Sequence, residues 1–345
     1  MVQNEKLLPF KPADVLVNVS MDGCYRTKAT EHVKEGPNMK ETIKKRFSDG
    51  FYDVPNQTAK YPLELANVSI SNQLIPVPFS DDLFGDTTSL LRVSAGVKLA
   101  SFQRGIHMSR IEQAFQDIPT GLALTTVAII LAKRVLAAQK QVEATVRLGG
   151  DIVIKHHTTR SNLPTFNTLT ISSEAHIGPQ DQLVKMGLTT SIITACPCMQ
   201  SYAVEELIET LDLPIDDPST LLGNIPIATH SQKGRVGIFV AGTPEELKRI
   251  SYLRLYSSMQ QASHLTSELL KRPDEYELVR RAHIHPQFVE DVVREVVTQL
   301  SKDFHNESSK LTLTVSAESY ESIHGHDIQA EGSFTLAELR ENKRI

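Results

Sequence analysis

The chain lacks tryptophan, has only three cysteines among its 345 residues and contains no long apolar run. An odd and small number of cysteines does not support a disulfide framework and indicates a reducing compartment. The longest apolar stretch, from Val127 to Ala132, is far too short to cross a bilayer. The first residues contain no apolar segment of the kind that directs secretion. We therefore expect a cytoplasmic protein without a membrane partner.

Charge of either sign is not in large excess. The chain has 36 Lys and Arg residues against 41 Asp and Glu residues, which gives a formal net charge of −5. No basic field is available for nucleic acid, so we expect no nucleic-acid partner, and a polyanionic substrate would need local Lys or Arg. With 40% apolar residues, a chain of this length can fold as two ordinary domains or one large one.

Apolar periodicity becomes regular after residue 60. Residues 1–60, which include Cys24, mix charged residues with turn formers and are predicted to be an extension of uncertain order. Between 142 and 148, apolar residues alternate with polar ones, as in a half-buried strand. Strands are predicted near 63–71, 90–102, 142–148, 166–177, 183–194, 235–240, 311–317 and 328–334, and helices over 109–138, from Thr243 and from Pro286.

The order of these elements is strand-strand-helix-helix-strand-strand, and it occurs twice. We therefore predict an α+β protein with two tandem ββααββ modules, residues 61–180 and residues 181–345, the second with most of the site residues. A four-stranded sheet with helices on one face leaves open edges, which must be paired or covered. Pairing of edges between copies would close a barrel, so we expect a homo-oligomer.

Two of the three cysteines lie in Thr-Ala-Cys-Pro-Cys-Met-Gln, residues 194–200. A disulfide between Cys196 and Cys198 would close a ring too small for good geometry. Two thiols on a stiff turn are better suited to binding zinc or ferrous iron, or to nucleophilic attack. The alternative is that both cysteines are buried structural residues.

Further His- and Glu-bearing segments follow the cysteines. His230 lies in a polar turn before a strand, where a structural role is the alternative to catalysis. Glu321, His324 and His326 form a Glu-x-x-His-x-His cluster that suits metal ligation or acid–base chemistry, unless it is a surface loop. Glu290 is in the first turn of a predicted helix, where the helix dipole favours a carboxylate and capping is the alternative.

A basic segment, Arg-Gly-Ile-His-Met-Ser-Arg (104–110), ends a predicted strand and precedes a helix. Arg104, His107 and Arg110 can together form a donor-rich patch for phosphate or another anion. A solvated strand end is the alternative interpretation.

Six segments together resemble the type IB GTP cyclohydrolases, closest to the archaeal-type branch of the methanopterin and folate pathways. The segments are Arg-Gly-Ile-His-Met-Ser-Arg (104–110), Thr-Ala-Cys-Pro-Cys (194–198), Ile-Ala-Thr-His-Ser-Gln (227–232), Leu-Lys-Arg-Pro-Asp-Glu (270–275), Pro-Gln-Phe-Val-Glu-Asp (286–291) and Glu-Ser-Ile-His-Gly-His-Asp (321–327). Their order matches that of the family. A departure is Ser231-Gln232-Lys233, where the family more often has Asn-Gln-Arg, because lysine lacks the bidentate fork of arginine.

The resemblance implies the tunnelling fold (T-fold), with two modules per chain that close into barrels on oligomerisation. It also implies metal-dependent hydrolytic opening of the guanine imidazole ring of GTP, with C8 released as formate. The implied product is 7,8-dihydroneopterin triphosphate or its 2′,3′-cyclic phosphate. The implied reaction is the first step of pterin biosynthesis. Fe²⁺ is the expected metal, with Zn²⁺ or Mn²⁺ as alternatives. The expected assembly is a homodimer or homotetramer with its sites at or near subunit interfaces.

The resemblance also implies roles for residues of this chain. The candidates for metal contact are Cys196, His230, Glu275, Glu321 and His324. Cys198 would lie close to C8, His230 could transfer a proton, and Glu290 would anchor the guanine edge. The remaining candidates for substrate binding are Arg104, His107, Arg110, Ser231, Gln232 and His326.

Two other functions fit parts of the pattern. One is another T-fold enzyme of purine or pterin chemistry that uses a cysteine nucleophile. The other is a non-enzymatic protein in which Cys196, Cys198 and His230 bind metal structurally. The mixture of Cys, His and Glu argues for an open catalytic site, since closed structural zinc sites are mostly built from Cys and His.

Overall fold

The computed structural model describes residues 53–211, 225–268 and 271–342. Most of the predicted N-terminal extension, including Cys24, lies outside the described residues. Of that extension the structure describes residues 53–60, which include a short 3-10 helix, Val54–Asn56.

The described chain contains eight strands and eight α-helices, and we number each set in chain order. The strands are β1 (Leu65–Asp81), β2 (Gly85–Leu99), β3 (Ala144–His157), β4 (Pro164–Ile177), β5 (Gln182–Ala195), β6 (Ser231–Gly242), β7 (Thr312–Ser319) and β8 (Ile328–Thr335). The helices are α1 (Met108–Ala114), α2 (Leu124–Gln139), α3 (Pro197–Leu211), α4 (Pro244–Leu247), α5 (Tyr252–Ala262), α6 (Arg272–Ile284), α7 (Val289–Asp303) and α8 (Leu336–Glu341). Within the described residues, no helix is long and apolar enough to cross a bilayer.

All eight strands belong to one antiparallel sheet, in the order β1-β2-β3-β4-β5-β6-β7-β8. Alternation of apolar and polar residues explains its two faces: in β3, Val146 and Leu148 are buried, whereas Arg147 between them is exposed. The buried face packs against α2, α5 and α7. In α7 the apolar stripe from Val289 to Leu300 is buried, as the helical period predicts.

The predicted fold class, a T-fold with two tandem ββααββ modules, is wrong. The eight strands form a single sheet because β4 pairs directly with β5, from Thr170↔Thr189 to Ile177↔Gln182. The turn between these strands is too short to separate two sheets, and the buried residues of strands and helices form one core cluster. The second half also differs from the first: α3 lies between β5 and β6, and α4 to α7 lie between β6 and β7.

The predicted helix over 109–138 is two helices, α1 and α2. The break contains Pro119, which cannot donate a backbone hydrogen bond, and two residues with positive φ, Asp117 and Gly121. These residues interrupt the helical backbone although the apolar pattern continues through them.

The connectivity separates two ends of the sheet. At the first, which we call the cysteine end, β5 finishes at Ala195, paired with Ser231, and β7 finishes at Ser319, paired with Ile328. At the second end, which we call the arginine end, β2 finishes at Leu99 and the chain continues to Arg104. Val97, near the end of β2, pairs with Ala144 at the start of β3. Strand β5 spans the two ends, and at the rise of a β-strand its length is about 40 Å.

Gly234 of β6 is predicted to stabilise the fold at the cysteine end, because no larger residue fits there. A Cβ at this position would overlap the backbone carbonyl oxygen of Glu318 in the paired strand β7. We expect Gly234→Ala to lower the free energy of unfolding by about 2 kcal/mol, because the added methyl group overpacks this site. Thermal unfolding monitored by circular dichroism measures the change. Gly105→Ala is the control, because its Cβ would meet only the Pro55 Cα, at 3.9 Å. Equal melting temperatures for the two variants would contradict the prediction.

Candidate active site

A cavity of about 120 Å³ lies at the cysteine end, between the strand termini and the start of α7. Side chains from distant parts of the sequence meet around it. Six of the residues selected from the sequence line it: Cys196, His230, Gln232, Glu290, Glu321 and His324. The chain therefore brings together a thiol, two imidazoles and two carboxylates at one place.

Cys196 is held where β5 ends and α3 begins. Its backbone N–H donates to the Thr229 hydroxyl at 3.1 Å and to the His230 carbonyl at 3.3 Å, which ties it to the segment before β6. Its half-buried thiol accepts the N–H of Met199 at 3.5 Å. Cys198, by contrast, is exposed in the first turn of α3 and does not line the cavity.

Gln232 connects His230 to Glu321 across the paired strands. Its side-chain amide nitrogen donates to His230 Nδ1 at 2.6 Å and to Glu321 Oε2 at 2.9 Å. Ser319 donates to the other Glu321 oxygen at 3.0 Å. Gln232 and Ser319 are buried, so these bonds form in surroundings where an unpaired polar group is costly. The network fixes the orientations of His230 and Glu321.

The bond from Gln232 also selects a tautomer of His230. Because Nδ1 accepts a hydrogen bond, a neutral imidazole has its proton on Nε2. Coordination of a metal through Nε2 would move that proton to Nδ1. The Gln232 amide would then have to present its oxygen instead, and Glu321 would lose its bond from Gln232.

His324 lies on the open side of the cavity. Its ring is 5.8 Å from that of His230, at an interplanar angle of 81°, and 5.5 Å from the nearly parallel ring of His326. His324 and His326 are exposed, and His326 does not line the cavity. His324 is therefore placed to act inside the cavity, whereas His326 is not.

Glu290 and Gln287 enter the cavity from the start of α7. The capping role considered for Glu290 belongs instead to Asp291, whose carboxylate accepts the N–H of Phe288 at 3.1 Å. The Glu290 side chain is exposed and makes no hydrogen bond within the described residues. Gln287 was not selected from the sequence, although it stands in the 286–291 segment, because its burial depends on the packing of α7.

Glu275 does not line this cavity. In its segment the neighbouring Asp274 has a structural role, accepting the N–H groups of Arg160 and Ser161 at 2.9 and 3.0 Å. Burial raises the pKa of Asp274, but these hydrogen bonds outweigh it and lower the pKa to about 2. Ser231, also selected from the sequence, starts β6 and does not line the cavity either.

Arg104, His107 and Arg110 lie at the arginine end, remote from the cavity in the same chain. Arg104 donates to the Gln57 side chain at 2.8 Å, and the backbone of His107 exchanges two hydrogen bonds with Gln139. His107 Nε2 is also 3.3 Å from an Asp53 carboxylate oxygen. The basic segment is therefore ordered by local contacts and does not reach the thiol of its own chain.

The donor set around the cavity suits a metal ion in chemical type. A thiolate with imidazoles and carboxylates is typical of sites for borderline metals such as Zn²⁺ and Fe²⁺. In the part of the chain that the structure describes, however, no group of three or more His, Cys, Asp or Glu residues is placed to hold a metal ion. Ligation thus requires rotation of side chains around the cavity, including the Gln232 amide that now donates to His230 Nδ1, or a donor from outside the described residues.

Comparison with known families decides the identity of the chain. A sequence model described as type I GTP cyclohydrolase folE2 matches residues 51–330. The chain belongs to this GTP cyclohydrolase family. Its membership confirms the enzymatic function expected from the sequence, a GTP cyclohydrolase of pterin biosynthesis.

Individual relatives agree with the family. GTP cyclohydrolase MptA 2 of Methanocella arvoryzae is 30% identical over 261 residues, covering 71% of this chain and 83% of that protein. GTP cyclohydrolase MptA of Methanococcus aeolicus is 28% identical over 306 residues, covering 84% and 98%. Both alignments thus cover more than two thirds of this chain and of each relative.

Solved structures give weaker similarity. A uricase from Bacillus fastidious matches with a TM-score of 0.42 at 8% identity, covering 83% of this chain and 98% of that one. A uricase from Arthrobacter globiformis matches with a TM-score of 0.40 at 8% identity, covering 79% and 94%. TM-scores of this size do not establish a common fold.

Proposed function

We propose that this cyclohydrolase is of type IB and opens the imidazole ring of GTP by metal-dependent hydrolysis at the cysteine end, releasing C8 as formate. The observation that supports it is the meeting of Cys196, His230, Glu290 and Glu321 around one cavity, from segments far apart in the sequence. Hydrolysis of an aromatic C8 needs an activated water, a proton donor and an anchor for the base, and these residue types supply those functions.

Cys196 and His230 are the proposed primary ligands of a divalent metal, Fe²⁺ first and Zn²⁺ or Mn²⁺ as alternatives. Glu321 and His324 line the same cavity and are the further candidates, whereas Glu275 would have to come from elsewhere in an assembly. When bound, such an ion supplies Lewis acidity for the hydrolytic water. The Gln232–Glu321 network then serves to orient His230 and is a positioning element.

Glu290 is the proposed anchor for the base. A carboxylate accepts the N1–H and 2-amino donors of guanine, and Glu290 is free of other hydrogen bonds in the described chain. Proton transfer to or from the imidazole ring of the substrate is the alternative role for His230, because a ring nitrogen that coordinates a metal cannot also transfer a proton. The cavity volume is small compared with GTP, so the ribose and triphosphate would extend outside it.

We include in this proposal a homodimer or homotetramer that completes the site. The basic residues Arg104, His107 and Arg110 lie at the arginine end, about a strand's length of roughly 40 Å from the cavity. They can meet a triphosphate bound at the cysteine end only if they come from a second copy. Within the described sheet β1 and β8 are edge strands, which leaves backbone groups available for such pairing.

The proposed reaction is tested by incubating the purified protein with GTP and Fe²⁺ under anaerobic conditions, and in parallel with Mn²⁺ or Zn²⁺. We expect equimolar formate and a fluorescent pterin after oxidation, both suppressed by a chelator. The product mass distinguishes the linear triphosphate from the cyclic phosphate. Absence of formate with every metal would overturn the proposed function.

The other functions expected from the sequence have less support. A cysteine nucleophile would be Cys198, but this thiol is exposed outside the cavity. A structural metal site built from Cys196, Cys198 and His230 has less support because the Cys198 thiol is exposed outside the cavity that Cys196 and His230 line. The cytoplasmic location expected from the sequence stays a prediction.

A further inference from the structure

Gln287 is an unexplained polar residue of the cavity. It is 5% exposed and lines the cavity beside Glu290. Its side-chain oxygen Oε1 is buried and has no hydrogen-bond partner among the residues that the structure describes. A buried amide oxygen without a partner is unfavourable unless a ligand or water completes it, so it points to a donor that binds here.

The orientation of this amide follows from its other contacts. The nitrogen Nε2 donates to the Ala262 carbonyl at 2.9 Å and to Glu295 Oε2 at 2.7 Å. A backbone carbonyl can only accept, so the nitrogen must face Ala262 and the oxygen must face away from it. Gln287 is thus held as a fixed acceptor.

The donors of a guanine base suggest what this acceptor binds. A single carboxylate can accept N1–H and one proton of the 2-amino group, which leaves the second amino proton unpaired. An amide oxygen near the same carboxylate would pair with that proton. Hypoxanthine and adenine lack the 2-amino group, so such a contact distinguishes guanine from both.

We infer that Gln287 is a specificity residue of this cyclohydrolase, whose side-chain oxygen accepts a hydrogen bond from the 2-amino group of the substrate base beside Glu290. The inference rests on the proposed function, because it assumes that the base enters this cavity. Sites built to hydrogen-bond a substrate group reject the analogue without that group, since their own buried polar atom is left unpaired.

The test compares GTP with ITP, which differs by the missing 2-amino group, in the wild-type protein and in Gln287→Met. Dissociation constants from calorimetric titration are measured beside kcat/KM for formate release. We expect the wild type to prefer GTP at least about tenfold, and Gln287→Met to lose roughly tenfold for GTP while ITP changes by less than about threefold. Equal losses for GTP and ITP would overturn the inference.

Gln287→Glu is the matched variant. Methionine removes the bonds to Ala262 and Glu295 together with the acceptor, whereas a protonated glutamic acid beside the Glu295 carboxylate can donate one hydrogen bond on that side and keeps an oxygen acceptor on the other. We therefore expect Gln287→Glu to retain the part of the preference for GTP over ITP that Gln287→Met loses. Loss of the preference in both variants, with melting curves like that of the wild type, would contradict the assigned acceptor.

A measurement on the unmodified protein keeps the inference testable if both variants fail to fold. N2-methyl-GTP replaces one 2-amino proton by a methyl group, and we expect it to bind at least about tenfold more weakly than GTP. Binding of N2-methyl-GTP and ITP as tight as that of GTP would overturn the role of Gln287. If the wild type releases no formate from GTP with any metal, the proposed function itself fails, which is a different outcome.

Discussion

A Cys196→Ala variant is expected to release formate from GTP more than about 100-fold more slowly than the wild type, because loss of a ligand should exceed the 10–100-fold cost of losing an outer-shell partner. The backbone of Cys196 is fixed by Thr229 and His230, so removal of the thiol leaves the surrounding chain in place. Metal content after anaerobic loading, measured by inductively coupled plasma mass spectrometry, should fall in parallel. The fold should persist, as judged by circular dichroism.

Ser201→Ala is the control for this result. Ser201 is exposed one turn further along α3, and its hydroxyl donates to the Pro197 carbonyl at 3.2 Å, its one hydrogen bond within the described residues. We expect this variant to keep wild-type metal content and turnover. Cys198→Ala tests the nucleophile alternative separately. A Cys196→Ala variant with wild-type turnover, or with full metal content, would contradict the role given to this thiol.

Two inactive variants with changes at opposite ends of the sheet are expected to restore activity when they assemble together. Cys196→Ala removes a residue of the cysteine end and Arg110→Ala one of the arginine end. If each site takes one end from each of two subunits, a mixed dimer contains one intact site and one doubly altered site. The isolated mixed dimers would then give roughly half of wild-type formate release, because one of their two sites is intact.

The experiment requires co-expression with two affinity tags, so that mixed oligomers are isolated before assay. Cys196→Ala paired with His230→Ala is the matched control. Both changes lie at the cysteine end, so no arrangement of these subunits contains an intact site. Activity in the first pair and none in the second supports a site shared between copies. If neither pair is active, the arginine end does not complete the site.

Local patterns predicted many elements of this chain correctly. Alternation around 142–148 became β3, and the apolar stripe after Pro286 became α7, because burial of one face is set by side-chain periodicity. The capping sequence at Thr243 formed a capping box with Glu246. Helix 109–138 was predicted without its break, since the apolar pattern continues through a segment whose backbone turns at Asp117 and Gly121.

The candidate site was predicted in part. Cys196, His230 and Glu321 could be selected because their residue types are rare or chemically specific, and they converge on one cavity. Gln287 could not, because a glutamine becomes informative only when burial leaves its oxygen without a partner. The separation of Arg104 from the cavity was also missed, because the order of segments in the sequence does not specify at which end of the sheet each segment lies.

By itself the sequence determined the residue chemistry of this protein, the positions of most strands and the membership in a cyclohydrolase family. These follow from side-chain type and short-range periodicity, which act between neighbours in the chain. Tertiary structure alone decided that β4 pairs with β5 to make one sheet, and that Cys196 and Arg104 lie at its opposite ends. Strand pairing and burial depend on contacts between residues far apart in the chain, and no local pattern specifies them.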